Sequence, residues 1–489
     1  MNSELVTLAI AAMVITGIFT LILPLYITRK FKGSENWLVA GRSLSLGVAT
    51  LLAFGTAFGG GALVARVGMA YIWGLAAITY NLCQFIGLTL LSMAAPWMRR
   101  HGFTAMGDIF RQIYGQNKAL TSLVALMAII PPLGGIGSGL ISFANLTTPY
   151  TGVDVKILII IFAILTALYV IPAGLRTVAW ANVLMSLFII PVAFTVAIYA
   201  LGVAGGFGSI VSNVPSSIIA IPDGLVNVGW VAVMGWFASV GLGTLTNQAF
   251  MQNVFAAKDL KVARRSTFLT AILHLLVGCT YAVIVGLAIR AINPAGFTVK
   301  TREQSLGWFI TTQVPPWLFA LFIALEFTVI MSTLIGSLQP LVSILVKNIY
   351  VDVVNPKATD NKIVNATRIL TVVMVFFIAG LATQLPIAMD FVLTAFGFAS
   401  AALLVPIYLG AALHTKGFKL NPSVGVSAIL AGFVVAWIGY VVGIDKITSV
   451  SYTYYGILAS LIVLLIGAFL VKSKAQKPTV ETTVQTSTN

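Results

Sequence analysis

The chain has 489 residues, of which 59% are hydrophobic and only 8% charged, where a soluble domain carries about 25% charged residues. That composition excludes a soluble enzyme and leaves a polytopic membrane protein, whose spanning helices each need about 20 apolar residues. The net charge of +15 sits in short connectors, where Lys and Arg set orientation in the bilayer and give no reason to expect nucleic acid as a partner.

In chain order, about thirteen apolar windows of spanning length are predicted: 4–27, 45–72, 73–96, 119–146, 153–171, 178–204, 228–250, 266–292, 315–347, 365–384, 388–411, 423–443 and 450–471. The first is read as an anchor, because it lacks the basic start and cleavage site of a signal peptide. Alternate connectors divide sharply in basic residues. One set holds Arg29, Lys30, Lys32, Arg42, Arg99, Arg100, Arg264 and Arg265 among many, while the other holds only Lys156, Arg290, Lys300, Arg302 and Lys446. That asymmetry predicts an N-terminus outside, a C-terminus in the cytoplasm and an odd number of crossings. Residues 1–472 read as one transmembrane domain, and the polar stretch 473–489 as a disordered tail. Between the third and fourth windows, Met106, Ile109, Phe110 and Ile113 recur at helical spacing, which predicts a short interfacial helix. Cys83 and Cys279 lie within apolar windows without any metal-ligand spacing, so no cofactor or metal cluster is expected.

Two windows carry helix-breaking sequence. In the second, Gly55, Gly59, Gly60 and Gly61 fall within seven residues, each costing about 1 kcal/mol against Ala in a helix. In the seventh, Gly235, Gly241 and Gly243 with Thr244 interrupt the run. Two interrupted spans in corresponding positions are the sequence signature of a secondary transporter's binding site, since unwound backbone is tolerated at membrane depth only beside a cavity or inside protein. Close helix packing by small residues is the competing explanation. On the first reading the fold is all-α, with a five-plus-five inverted repeat: 45–204 and 228–411, after an extra helix at 4–27 and before two helices within 423–471.

Four segments resemble the sodium/solute symporter family: Ala40-Gly41-Arg42-Ser43-Leu44; GLRTVAWANV from Gly174 to Val183; QNVFAAKDLKVARRS from Gln252; and Met331-Ser332-Thr333 with Lys347-Asn348-Ile349-Tyr350. The likeness extends over roughly residues 5 to 471. Its nearest branch is the high-affinity choline carriers, through TAFGGG, the loop from Phe103 to Gly115 and the closing Asn348-Ile349-Tyr350, yet the aromatic cage is lacking: Ala57 and Asn247 stand where that branch would supply tryptophans. The resemblance implies a LeuT-like fold and sodium as coupling ion, held by the carbonyls of Gly55, Phe58 and Val329 and the hydroxyls of Ser332 and Thr333. Val329 lies one helical turn before Ser332. Back-bonding of Ser and Thr to helix carbonyls is the bland alternative for the pair. Ala57, Asn182 and Ile335 stand where family members often carry Asp, so a single sodium is expected.

Arg66 and Glu326 are the ionisable residues deepest in the windows, each costing about 2.5–3.5 kcal/mol unpaired at the bilayer centre. Arg66 reads as a bidentate ligand for a substrate carboxylate, or as a structural partner of Glu326. Glu326 reads as a proton-coupling site or as that counter-ion. His274 reads as a packing residue. Asn247 and Gln248, just past the second break, are candidate substrate contacts, with Phe58 and Tyr80 covering the cavity. Together these features lead us to expect an inner-membrane, sodium-coupled symporter of a small polar or carboxylate-bearing solute, without chemistry on it. A proton-coupled or uncoupled carrier and a membrane ligand sensor are the alternatives.

Overall fold

The computed structural model describes residues 3–28, 44–173, 178–355 and 357–470. The stretches Ala40–Ser43 and Gly174–Thr177 and the tail from Val471 lie outside the described residues, as do the side chains of Asn182, Ser332 and Ile335.

Every regular element among the described residues is helical. The first helix, α1 (Ser3–Thr28), is followed by α2 (Leu46–Ala57) and α3 (Gly60–Trp73), then α4 (Ile78–Arg100) and the short α5 (Met106–Tyr114). Next come α6 (Lys118–Ala128), α7 (Ile130–Thr151), α8 (Val155–Ala173) and α9 (Val178–Val203). The second half holds α10 (Trp230–Trp236), α11 (Gln248–Ala256), α12 (Leu260–Val277), α13 (Val283–Ile292), α14 (Ser305–Thr312), α15 (Pro316–Ile344), α16 (Asp360–Ala382) and α17 (Ala388–Thr415). Two further helices close the chain, α18 (Pro422–Val442) and α19 (Tyr452–Leu470). Eight described helices are long and apolar enough to cross a membrane, and five apolar helices are shorter. One of the eight, Leu63–Arg100, joins α3 to α4 through a turn at Gly74. Gly74 has φ +58°, and a Cβ there would stand 2.0 Å from the Ile218 carbonyl oxygen, so only glycine fits.

Both predicted breaks are present. The first falls at Phe58 and Gly59, where Phe58 takes φ −100°, ψ 46° and Gly59 is extended. The second falls later than the glycines alone suggest. Phe237–Gly241 is a π-helical bulge that keeps the helix going, and Thr244–Thr246 tightens into a single 3-10 turn before Asn247 leaves helical geometry at ψ 114°. Glycine lowers the cost of unwinding, but the stop comes where Asn247 can cap the next helix: its Oδ1 accepts from the Ala249 amide at 2.9 Å.

The short helix expected between the third and fourth windows is α5. Its apolar residues Met106, Ile109, Phe110 and Ile113 are buried, and Asp108 accepts from the amides of Thr104 and Ala105 at its start. Helices α18 and α19 pack on one another and on α17 through glycine contacts. A Cβ on Gly432 would lie 2.1 Å from the Ala401 carbonyl oxygen. Gly432→Ala therefore has to part backbone from backbone and is expected to cost about 1–3 kcal/mol, measured as a lowered melting temperature in detergent; an unchanged melting temperature would contradict this packing.

Candidate functional site

The two breaks face one cavity of about 80 Å³, and its lining includes Thr56, Ala57, Gly59, Gly61 and Arg66 from the first broken span and Asn247, Ala249 and Phe250 from the second. Tyr80 and Gln84 of α4, Pro131, Pro132 and Ser138 of α7, Thr333 and Ser337 of α15, and Ala388, Met389 and Phe396 of α17 complete the wall. The prolines stand there because α6 stops at Ile129 and α7 starts anew, and proline's missing amide is harmless in a first helical turn.

Around the first break the backbone oxygens become available in a defined way. Phe58 donates its amide to the Phe54 carbonyl at 2.7 Å and then turns the Gly59 amide out of helical register, so the last-turn carbonyls lose their helical partners. Gly59 packs directly on α15: a Cβ there would meet Thr333 Cγ2 at 2.5 Å and Oγ1 at 2.8 Å. Thr333 Oγ1 donates to the Val329 carbonyl at 2.8 Å. This is the back-bonding alternative, and it also brings two oxygens of the expected sodium shell together beside the break. Gly55 and Phe58 are buried in the same place.

Arg66 is buried at 3% exposure. Its Nη2 donates to His274 Nε2 at 2.8 Å, and its guanidinium lies 4.7 Å from the centre of the Phe58 ring and 5.4 Å from that of Tyr80. Nε and Nη1 have no hydrogen-bond partner. Gly278 leaves room for this arrangement, since a Cβ there would meet Asn81 Oδ1 at 2.5 Å and Arg66 Nη1 at 3.0 Å. The Arg66–Glu326 ion pair raised from the sequence is not formed. Glu326 is wholly buried with both carboxyl oxygens unpartnered; the ion pairs among the described residues are Arg111–Asp108 and Arg302–Asp390.

Of the expected substrate contacts, Arg66, Tyr80 and Asn247 line the cavity and Gln248 does not. Gln248 Oε1 instead accepts from the Met106 amide at 2.8 Å and so ties α11 to α5. Its sequence position gives no warning, because adjacent residues at a helix start point in different directions. Sequence reasoning passes over Gln84, Ser138, Ser337 and the partner role of His274. Two of these carry a signal in retrospect: Gln84 lies one turn from Tyr80 and Ser337 one turn from Thr333, on the same helix faces.

Over the cavity's end near α17, the connector between α13 and α14 is fastened by charge. Glu303 accepts from the amides of Ala388 and Met389 at 2.9 and 3.1 Å and from Asn145 Nδ2 at 3.3 Å, capping the start of α17. Its neighbour Arg302 donates to Asp390 at 3.0 Å. Burial pushes the Glu303 carboxyl up to about 7, opposed by Arg302 and the two amides.

A broken-helix membrane protein with its cavity between the breaks defines the class, and the comparisons give the family. Residues 37–416 match the sodium:solute symporter family, and the chain belongs to that family; it is a multi-pass membrane protein and a transporter, not an enzyme. It is 27% identical to the human high affinity choline transporter 1 over 69% of this chain, spanning only 60% of that protein's length. The sodium/pantothenate symporter of Haemophilus influenzae is 24% identical, with 94% of this chain and 92% of the relative covered. Among solved structures, a Na+-coupled sialic acid symporter in a substrate-bound outward-open state superposes with a TM-score of 0.73 at 17% identity, over 94% of this chain and 96% of the other, a likeness of fold.

Two outcomes follow. Gly59→Ala pushes Thr333 off the break and is expected to abolish sodium-dependent stabilisation in a thermal-shift titration; a wild-type sodium shift would remove Thr333 from the ion's surroundings. Because Glu303 binds its proton more tightly when buried, the stability it lends to the docked connector is fully present below the ordinary value of 4.5 and is lost as pH rises through about 7. Glu303→Gln is expected to flatten the fall in melting temperature between pH 5 and 8, and an equally steep fall in the variant would place the titrating group elsewhere.

Proposed function

We propose that the protein is a sodium-coupled symporter that imports a small polar or carboxylate-bearing organic solute by alternating access, in the plasma (inner) membrane, with the N-terminus outside and the C-terminus in the cytoplasm. The thirteen predicted crossings and the repeats 45–204 and 228–411 belong to this reading, which membership of the sodium:solute symporter family supports. The observation that carries it is the cavity shared by the two helix breaks, with Arg66 and Asn247 on its wall. Sodium sits between the first break and α15, held by the carbonyls of Gly55, Phe58 and Val329 and the hydroxyls of Ser332 and Thr333. An all-oxygen shell of carbonyls and hydroxyls suits a hard cation without adding a charge.

The solute occupies the cavity beside Arg66, Tyr80 and Asn247. Arg66 supplies unpaired N–H donors for a carboxylate, a charge-assisted bond of about 1.5–3 kcal/mol. Sodium then lowers the cost of bringing the anion to membrane depth. A second reading rests on Glu326: a buried carboxyl with no partner is most stable protonated, so a proton could replace sodium as coupling ion. A sensor has no support from the family or from any folded output domain among the described residues.

Ser332→Ala with Thr333→Ala is expected to abolish sodium-dependent uptake in proteoliposomes, while Glu326→Gln leaves it intact. Uptake driven by a proton gradient and lost in Glu326→Gln would establish the second reading instead.

A further inference from the structure

A buried arginine is normally held by a carboxylate, which cancels its charge. Arg66 is held by something else. A guanidinium can only donate hydrogen bonds, so His274 Nε2, at 2.8 Å from Nη2, must be accepting. The imidazole is then neutral and carries its proton on Nδ1, which has no hydrogen-bond partner among the described residues. The guanidinium also lies over the ring faces of Phe58 and Tyr80, which attract a cation but do not neutralise it. Phe58 is also braced edge-on against His274, with ring centres 5.3 Å apart.

We propose that His274 makes the cavity specific for a small monocarboxylate anion, by fixing Arg66 in place while leaving its full charge for the solute. This rests on the reading of Arg66 as a solute ligand. Three features carry it beyond that reading. The described residues lining the cavity include no Asp or Glu, so an amino or quaternary ammonium group would face Arg66 with no anion to offset the repulsion. The ring faces of Phe58 and Tyr80 are already covered by Arg66, which leaves a quaternary ammonium only Phe250 and Phe396 on the cavity wall. An incoming carboxylate, in contrast, meets two buried donors, Nε and Nη1, that have no hydrogen-bond partner among the described residues. His274 is therefore a positioning residue acting through Arg66, and because its ring spans from Arg66 to the broken helix, it also links the solute site to the sodium site at Phe58.

The test is a thermal-shift titration of the full-length protein in detergent with acetate, propionate, lactate and pyruvate. Controls are the matching amides, glycine, proline and choline, each with Na+ and with K+. The expected result is a shift with a carboxylate that Na+ strengthens and that the matching amide fails to give. His274→Gln retains a neutral acceptor and is expected to keep that shift. His274→Glu supplies a counter-ion and is expected to weaken carboxylate binding at least about 10-fold while the shift with Na+ alone persists, which shows that the variant is folded. Arg66→Gln gives the same loss without adding an acid, should His274→Glu fail to fold. Choline or a zwitterion giving the larger shift overturns the proposal, as does carboxylate binding unaltered in Arg66→Gln or in a folded His274→Glu. A sodium shift with no response to any carboxylate also overturns it and leaves sodium coupling standing. A carboxylate shift indifferent to Na+ upholds the anion site and removes the coupling instead.

Discussion

A helix that stops inside a bilayer exposes backbone groups that no water can reach, and each unanswered group costs several kcal/mol. Most of what is distinctive here follows from that constraint, because the chain stops two helices at membrane depth. Side chains from neighbouring spans answer some of the freed groups. Tyr408 donates to the Leu245 carbonyl in the second break at 2.8 Å, and Asn247 caps the helix that resumes. Around the first break, hydroxyls of Ser142, Ser186 and Thr270 add a second donor to carbonyls within the flanking helices, those of Gly61, Leu51 and Thr50, and so tie the broken span to its neighbours. In the last turn of α2 the Phe54 carbonyl keeps the Phe58 amide as its partner, and the chain leaves helical geometry directly after it.

The same economy joins the broken spans at their far ends. Leu44, just before α2, pairs in a two-residue bridge with Ala257, just after α11, and Arg99 donates to the Ala257 carbonyl at 2.7 Å. Gln248 fastens α11 to α5 on that side. Leu44 and Ala257 thus tie the start of the first broken span to the end of the second. On the opposite side Glu303 and Arg302 hold the α13–α14 connector onto α17. The first of these junctions is held mainly by backbone pairing and the second by ionisable side chains, so pH reaches the second much more directly than the first.

The breaks, the short helix α5 and the all-helical, apolar character of the fold were legible because each is written in local chemistry: glycine clusters, helical periodicity, and apolar length. What was not legible depends on which residues meet. Arg66 and His274 are 208 positions apart, and a lone histidine in an apolar span gives no sign of its partner. Glu326 looked like the natural counter-ion because opposite charges in a membrane usually find each other; here helix packing keeps them apart. Gln248 was misplaced by one step of helix rotation, whereas its neighbour Asn247 faces the cavity.

Leaving Arg66 and Glu326 unpaired has a cost that a purely structural role would not repay. Had the fold needed only stability, joining them or replacing both with apolar side chains would serve as well or better. An uncompensated charge at membrane depth is tolerable when a mobile ion of opposite sign completes it during part of the working cycle, and a cavity that is stable only when filled is one that changes state when it empties. For Arg66 that ion has to be an anion, and the neutral His274 ensures that the protein itself does not supply it.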